Sequence, residues 1–434
     1  MNITIYQTAL ACVLGFAISA VHATDEGTMP SQLEEYEKRL DMLERRVSEE
    51  QPINNYKTEN VFNPAISVII DGIYSSYKNN SDDYALPGYS LGGESELARE
   101  GFSLGHSEII MSSNIDDKFF GQLSLALAEH DDEVEVELEE AFFETLALGH
   151  GFTIRGGRFY SGIGYLNQQH QHAWDFHDAP LVYRGIFGNQ YFDDGVRATY
   201  VAPTDLYVEL GLEAFAGSKY PAGGDHSDVG VWTGFVNFGG DLGISHSWQA
   251  GLSYLTADDI EREHGSHEHT DVAETPLFEG DSTIAGVNMI YKWAPGGNSI
   301  EQNFKLQFEY FSRDEKGSLI LLNSSPLEVS SLNSEQDGWY LQGIWQFDRN
   351  WRTGIRYDML DSDNRGSDAA VLDEAGLVTN GHTPTRSSIM AEWLPSNFSR
   401  FRLQYNHDDS YQDTDNQIFL QYTFSMGAHG AHAY

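Results

Sequence analysis

The stretch Phe401-Arg402-Leu403-Gln404-Tyr405-Asn406 and, a little further on, Ile418-Phe419-Leu420-Gln421-Tyr422-Thr423-Phe424 decide how this chain folds. Side chains of an extended backbone point alternately to its two faces. One face of these segments is therefore built of leucine, isoleucine and aromatic residues, and the other mostly of arginine, glutamine, asparagine and threonine. The same period of two returns in Phe304-Lys305-Leu306-Gln307-Phe308-Glu309-Tyr310, in Gly121-Gln122-Leu123-Ser124-Leu125-Ala126-Leu127 and in Val134-Glu135-Val136-Glu137-Leu138-Glu139. Segments of about ten residues with one apolar and one wet face are what a barrel strand crossing a lipid bilayer requires.

Working outward from these segments, about sixteen are found, starting near residues 65, 102, 118, 133, 151, 193, 205, 229, 243, 283, 300, 337, 350, 385, 398 and 416. Tight turns such as Asp116-Asp117-Lys118, Gly149-His150-Gly151, Ala202-Pro203-Thr204-Asp205, Asp348-Arg349-Asn350 and Leu394-Pro395-Ser396-Asn397 separate them at one end. The alternate connections are mostly longer, around 77–100, 166–190, 217–228, 257–282, 314–336 and 362–384. A soluble propeller or sandwich has no need of that asymmetry. An outer-membrane barrel has it, with short periplasmic turns and long outer loops. Phe119, Phe120, Trp293, Tyr310, Phe311, Trp339, Trp351 and Trp393 fall near segment ends, where aromatic girdles sit. The expected fold is all-β: a transmembrane antiparallel barrel of about sixteen strands.

What precedes the barrel reads as two short segments. Ala9 to Val21 is apolar and ends in Val21-His22-Ala23 before Thr24-Asp25-Glu26, the form of a signal peptide cleaved after residue 23. Leu33, Tyr36, Leu40, Leu43 and Val47 then follow an a/d heptad, and Pro52 closes the run. So short a helix is marginal alone, which favours a periplasmic coiled coil shared between copies of the chain. The expected division is 1–23 signal peptide, 24–58 coiled-coil segment and 59–434 barrel. The chain's one cysteine, Cys12, lies in the first of these, so the mature protein has no disulfide.

Charge narrows the partners. Lys and Arg number 25 and Asp and Glu 66, a net charge of −41 over 434 residues. Such a chain repels phosphodiester backbones, so nucleic acid is excluded. The expected surroundings are the lipid and lipopolysaccharide of a Gram-negative outer membrane, where divalent cations bridge acidic loops to lipopolysaccharide phosphates.

The block from Glu139-Glu140-Ala141-Phe142-Phe143 to Gly156-Gly157-Arg158-Phe159-Tyr160 resembles the phosphate-selective porin O and P family, as does the whole frame of signal peptide, coiled coil and sixteen-stranded barrel. The resemblance implies a homotrimeric channel with loops folded into the pore. The family's anion-binding basic residues are not carried over, because this chain is so acidic.

Within the barrel, Glu135, Glu137 and Glu139 share the face opposite Val134, Val136 and Leu138 and are expected to line the pore. Arg352, Arg356, Arg386, Arg400 and Arg402 are expected to form a basic wall facing them, since charge on the lipid face is costly. Opposed walls of this kind order water and polar solutes; ordinary lumen ion pairs fit the same residues. His170, His172 and His177, in Gln168-Gln169-His170-Gln171-His172-Ala173-Trp174-Asp175-Phe176-His177-Asp178, are candidate metal ligands, although Trp174 and Phe176 suit packing equally. His264, His267 and His269 sit among carboxylates in another loop and read either as a metal-sequestering composition or as a solvated acidic loop. There is no P-loop and no His-Glu-x-x-His, and no enzymatic activity is expected. The function expected is passive diffusion of small hydrophilic solutes or ions, which needs no cofactor. The alternative is a zinc-associated channel or binding protein using the histidine loops, with zinc or calcium as the metal.

Overall fold

The computed structural model describes residues 64–81, 84–130, 133–224, 227–263, 275–322, 324–411 and 413–427; of 128–130 and 133–135 only the backbone is described. The expected signal peptide and coiled coil, the side chain of Glu135, and His264, His267 and His269 lie outside the described residues.

The strands follow one another around a closed antiparallel barrel. They are β1 (Ala65–Ser76), β2 (Gly101–Leu104), β3 (Ser107–Asn114), β4 (Phe119–His130), β5 (Glu133–Thr145), β6 (Phe152–Tyr160), β7 (Phe192–Val201), β8 (Tyr207–Phe215) and β9 (Val231–Asp241). Then come β10 (His246–Glu263), β11 (Pro276–Trp293), β12 (Asn303–Leu321), β13 (Glu328–Asp348), β14 (Trp351–Gly366), β15 (Thr385–Ser396), β16 (Ser399–Asp409) and β17 (Asp415–Gly427). β2 and β3 both pair with β1 and form one staggered strand, so the wall has sixteen staves. Closure is made by β1 on β17, from Ser67 opposite Gly427 to Ser76 opposite Ile418. A closed sheet leaves no unpaired edge, which is the condition for crossing a bilayer with strands.

The alternation read from the sequence is the wall's inside-out pattern. On β17, Ile418, Leu420, Tyr422, Phe424 and Met426 are 39–53% exposed, whereas Gln417, Phe419, Gln421, Thr423 and Ser425 are buried on the inner face. At the short-turn end, Trp393 stacks between Trp351 and Phe401 with ring centroids 6.5 and 5.5 Å away, an amphipathic belt suited to the headgroup level. Two of the aromatics expected in the girdles do not belong there. Phe311 is wholly buried on the inner face, and Phe120 packs against the interior core.

The wall is taller on one side than the sequence suggests. β10 to β13 run 18, 18, 19 and 21 residues, so β11 begins at Pro276 and β13 at Glu328 rather than near 283 and 337. A bilayer needs only about ten residues of tilted strand. In the extra length the outward positions are polar, Asp314 and Lys316 on β12 and Glu335 on β13, while Leu319, Leu321 and Leu332 point inward. The outer face is no longer continuously apolar there, so a search for lipid-facing alternation stops short.

Those inward apolar residues serve a core inside the barrel. Leu255, Phe278, Ile284, Phe311, Tyr340 and Leu360 from the wall pack with Leu181, Val182, Tyr183, Ile186 and Phe187 from the chain between β6 and β7. Helix α1 (Leu181–Phe187) is buried at every residue. Gly338 on β13 permits its approach, since a Cβ there would lie 3.0 Å from Val182 Cγ2. A second short helix, α2 (Ala369–Glu374), adds Val371 and Leu372 to the same core.

Candidate functional site

The lumen and the 161–191 segment inserted into it are where this barrel departs from a plain tube. Asn167 ties the base of the segment. Its Nδ2 donates to the carbonyls of Ser161 (2.9 Å) and Tyr191 (2.8 Å), and its Oδ1 accepts from the Tyr191 amide at 2.7 Å. Asn167→Ala removes all three bonds and leaves buried polar groups unpaired, so it is expected to cost about 1–3 kcal/mol in denaturant unfolding.

Two wall carboxylates anchor the turns that follow. Glu213 accepts from Ser161 Oγ at 2.6 Å and from the Gly162 amide at 2.9 Å. Glu309 accepts from the amides of Tyr165 (2.7 Å) and Leu166 (3.0 Å) and from the Tyr183 hydroxyl at 2.9 Å. Helix α1 stops at Gly188, whose φ of +60° is the left-handed conformation glycine adopts at helix ends. A Cβ at Gly188 would also strike the Gly92 carbonyl, so this glycine lets the 84–95 segment lie against the insert.

All five arginines expected on the basic wall face the lumen, but they do not stand free along a water path. Each is buried and grips the insert or a neighbouring acid. Arg400 donates to the His172 carbonyl at 2.8 Å, and Arg402 donates to that of Trp174 at 2.6 Å. Arg356 holds the Asp178 carbonyl and carboxylate, both at 2.8 Å. Arg386 reaches the Ala179 carbonyl at 2.6 Å and the Asp178 carboxylate at 2.7 Å. Arg352 pairs with Glu392 and, at 3.3 Å, with Asp175, which Lys305 also meets at 2.6 Å. Alternation alone shows which face these residues take; it does not show that residues 172–179 come to cover them.

Asp178 is the hub of this contact. Burial pushes its carboxyl up, but Arg356, Arg386 and Arg184 outweigh that and hold it well below the usual carboxylate range. The three histidines that stand together in the sequence part company here. His177 lies among the arginines, its ring 5.1 Å from that of Phe419. Burial, with Arg402, Arg184 and Arg400 close by, depresses its imidazole to about 3. A cation is unwelcome there, so His177 is not grouped with the other two histidines.

His170 and His172 meet the acidic side of the wall instead. His172 Nδ1 lies 2.8 Å from Glu108 Oε1, and His170 Nδ1 lies 3.0 Å from Glu108 Oε2. His170 Nε2 lies 3.1 Å from Glu140. His106 Nε2 approaches Glu139 at 2.8 Å and Glu108 at 3.3 Å. Two irregularities aim these groups at one place. One extra residue at Gly105-His106 separates β2 from β3 along β1, and Glu139 is skipped in the β4–β5 register, where Ser124 faces Glu140 and Leu125 faces Leu138. Between them β4 offers only Ser124 and Ala126, over which the long acids meet. Of the expected acidic row, Glu139 joins this cluster and Glu137 pairs with Lys219 at 3.3 Å. His106, Glu108 and Glu140 escape a strict reading of alternation because a bulge resets the register; the spacing His106-x-Glu108 beside a break in the apolar pattern is the signal that marks them.

No family model matches this chain. It is 28% identical over 407 residues to an uncharacterized protein of Aquifex aeolicus, covering 87% of this chain and 81% of the other. Among solved structures, a loop-deletion form of OmpT, an outer membrane protein of Vibrio cholerae, superposes with a TM-score of 0.51 at 12% identity, covering 85% of this chain and all of that one. The outer membrane channel DcaP of Acinetobacter baumannii superposes with a TM-score of 0.50 at 14% identity, covering 84% and 97%. The fold is that of the Gram-negative outer-membrane barrels.

Proposed function

We propose that this protein is an outer-membrane channel through which small hydrophilic solutes or ions diffuse passively, constricted by the 161–191 insert. The observation that carries the reading is the closed sixteen-stave barrel with a polar inner face on β14 to β17 beside the insert. The likeness in fold to the outer membrane channel DcaP favours the same general role. With its five inner arginines engaged, the lumen gives no support to phosphate selectivity, so the proposal names small hydrophilic solutes rather than phosphate. It includes export directed by residues 1–23 and homotrimers joined through 24–58.

The test is planar-bilayer recording of the refolded mature protein, without added ligand, in a salt gradient. Stepwise conductance in threes is expected, smaller than an unobstructed sixteen-stranded barrel would pass. A correctly folded protein that conducts nothing under any voltage would overturn the channel reading.

A further inference from the structure

We propose that the His106, Glu108, Glu139, His170 and His172 cluster is a binding site for a divalent transition-metal ion of the zinc class, clipping the insert to the barrel wall. Two triads of donor atoms, Glu108 with His170 and His172, and Glu108 with His106 and Glu139, each lie within 4.8 Å of one another. Two ligands of a tetrahedral zinc ion, each about 2.0–2.1 Å from it, stand about 3.3 Å apart. The contacts around Glu108 run from 2.8 to 3.3 Å, close to that spacing.

Hydrogen bonding accounts for only part of the cluster. Glu108 is wholly buried, yet its Oε2 receives no hydrogen bond, although His170 Nδ1 is 3.0 Å away. His106 Nε2 and His170 Nδ1 likewise sit near carboxylate oxygens without forming hydrogen bonds to them. Donor atoms that crowd together without pointing at one another converge on a common point between them. The outer contacts complete the picture. Glu140 holds His170 Nε2, and Tyr160 and Ser124 donate to Glu139 at 2.7 and 3.3 Å. A ligand imidazole whose other nitrogen is bound by a carboxylate is the usual support of a metal-binding histidine.

Charge leads to the same conclusion. With neutral imidazoles, Glu108, Glu139 and Glu140 bring three negative charges into one buried place, which is costly unless a cation is shared among them. Imidazole with carboxylate suits zinc and its neighbours better than calcium, whose ligands are all oxygen. Histidines come from the insert and carboxylates from the wall, so the ion would bridge the two.

The test is calorimetric titration of zinc chloride into the chelator-treated, refolded full chain, with cobalt(II) absorption as a second readout. Zinc is expected to bind, and His170→Gln, His172→Gln and Glu108→Gln are each expected to weaken it about tenfold or more. Replacing His264, His267 and His269 by alanine should leave this binding intact. His170→Gln, at a partly exposed position, is the variant least able to disturb folding, and the heat-modifiable gel shift of a closed barrel serves as the control. Binding that survives His170→Gln and His172→Gln unchanged, or that disappears with the 264–269 histidines, would overturn the site. Neither readout depends on conductance, so failure here and failure of the channel reading are separate results.

Discussion

Asp178→Asn is expected to loosen the insert. The carboxylate meets Arg356 and Arg386 at 2.8 and 2.7 Å and accepts from Gln404 and Asn406 at 2.6 and 3.0 Å. All of these are buried. Removing this charge leaves two buried guanidinium groups with Asp358 as their one remaining carboxylate partner, at about 3–5 kcal/mol. The measurement is thermal unfolding together with limited proteolysis of 161–191. The variant should unfold at lower temperature and be cut inside the insert while the barrel resists. Its pH dependence has a definite sign. Because the folded state holds the Asp178 carboxyl below its ordinary value, the stabilisation is complete above about pH 3.9 and is lost as the pH falls further. The gap between wild type and variant should therefore close toward pH 2. A gap that widens on acidification would show that Asp178 is not ionised in the folded protein.

Val182→Asp should have a comparable effect by a different route. Val182 is fully buried in α1, against Gly338 and among Leu360, Tyr340 and Phe311. A carboxylate placed there has no partner, and the loss of apolar burial adds about 1.5–3 kcal/mol to its desolvation. The barrel closes through backbone pairing that α1 does not share, so the expected product is a folded barrel with an undocked insert. In bilayers it should carry several times the wild-type current per step. A variant that folds and conducts as the wild type does would show that α1 is not the constriction.

How much of this was legible beforehand depends on which face carried the signal. Ile418, Leu420, Tyr422 and Phe424 announce their strand because lipid demands an apolar residue at every outward position, and the turns around residues 116, 203 and 349 follow from the same logic. The heights of β12 and β13 did not show, since above the bilayer their outward residues Asp314, Lys316 and Glu335 answer to water. Leu181-Val182-Tyr183-Arg184-Gly185-Ile186-Phe187 lies within what reads as a long loop; seven residues are too few for a helical period to stand out. His170 and His172 were visible as candidates, and their acidic partner Glu108 was not, because it reaches them only through two interruptions of the wall. For the inner arginines alternation carries the face and the pairing with wall acids, but not their contacts with residues 172–179: pairing along a strand is local information, whereas the insert arrives from the far side of the ring.

That distance has a kinetic meaning. The Leu181 amide donates to Asp358 across 177 positions of chain, and the Arg402 to Trp174 contact spans 228. None of these bonds can form until β14 to β16 have been laid down, late in the polypeptide. The insert, made much earlier, must wait with its apolar helix unsatisfied. Contacts between residues so far apart form slowly, because the loop entropy is spent before they return anything. Completion of the last staves and docking of the insert are thus coupled steps, and a chain truncated before residue 400 would lack both its closing seam and the two arginines, Arg400 and Arg402, that hold the insert at His172 and Trp174.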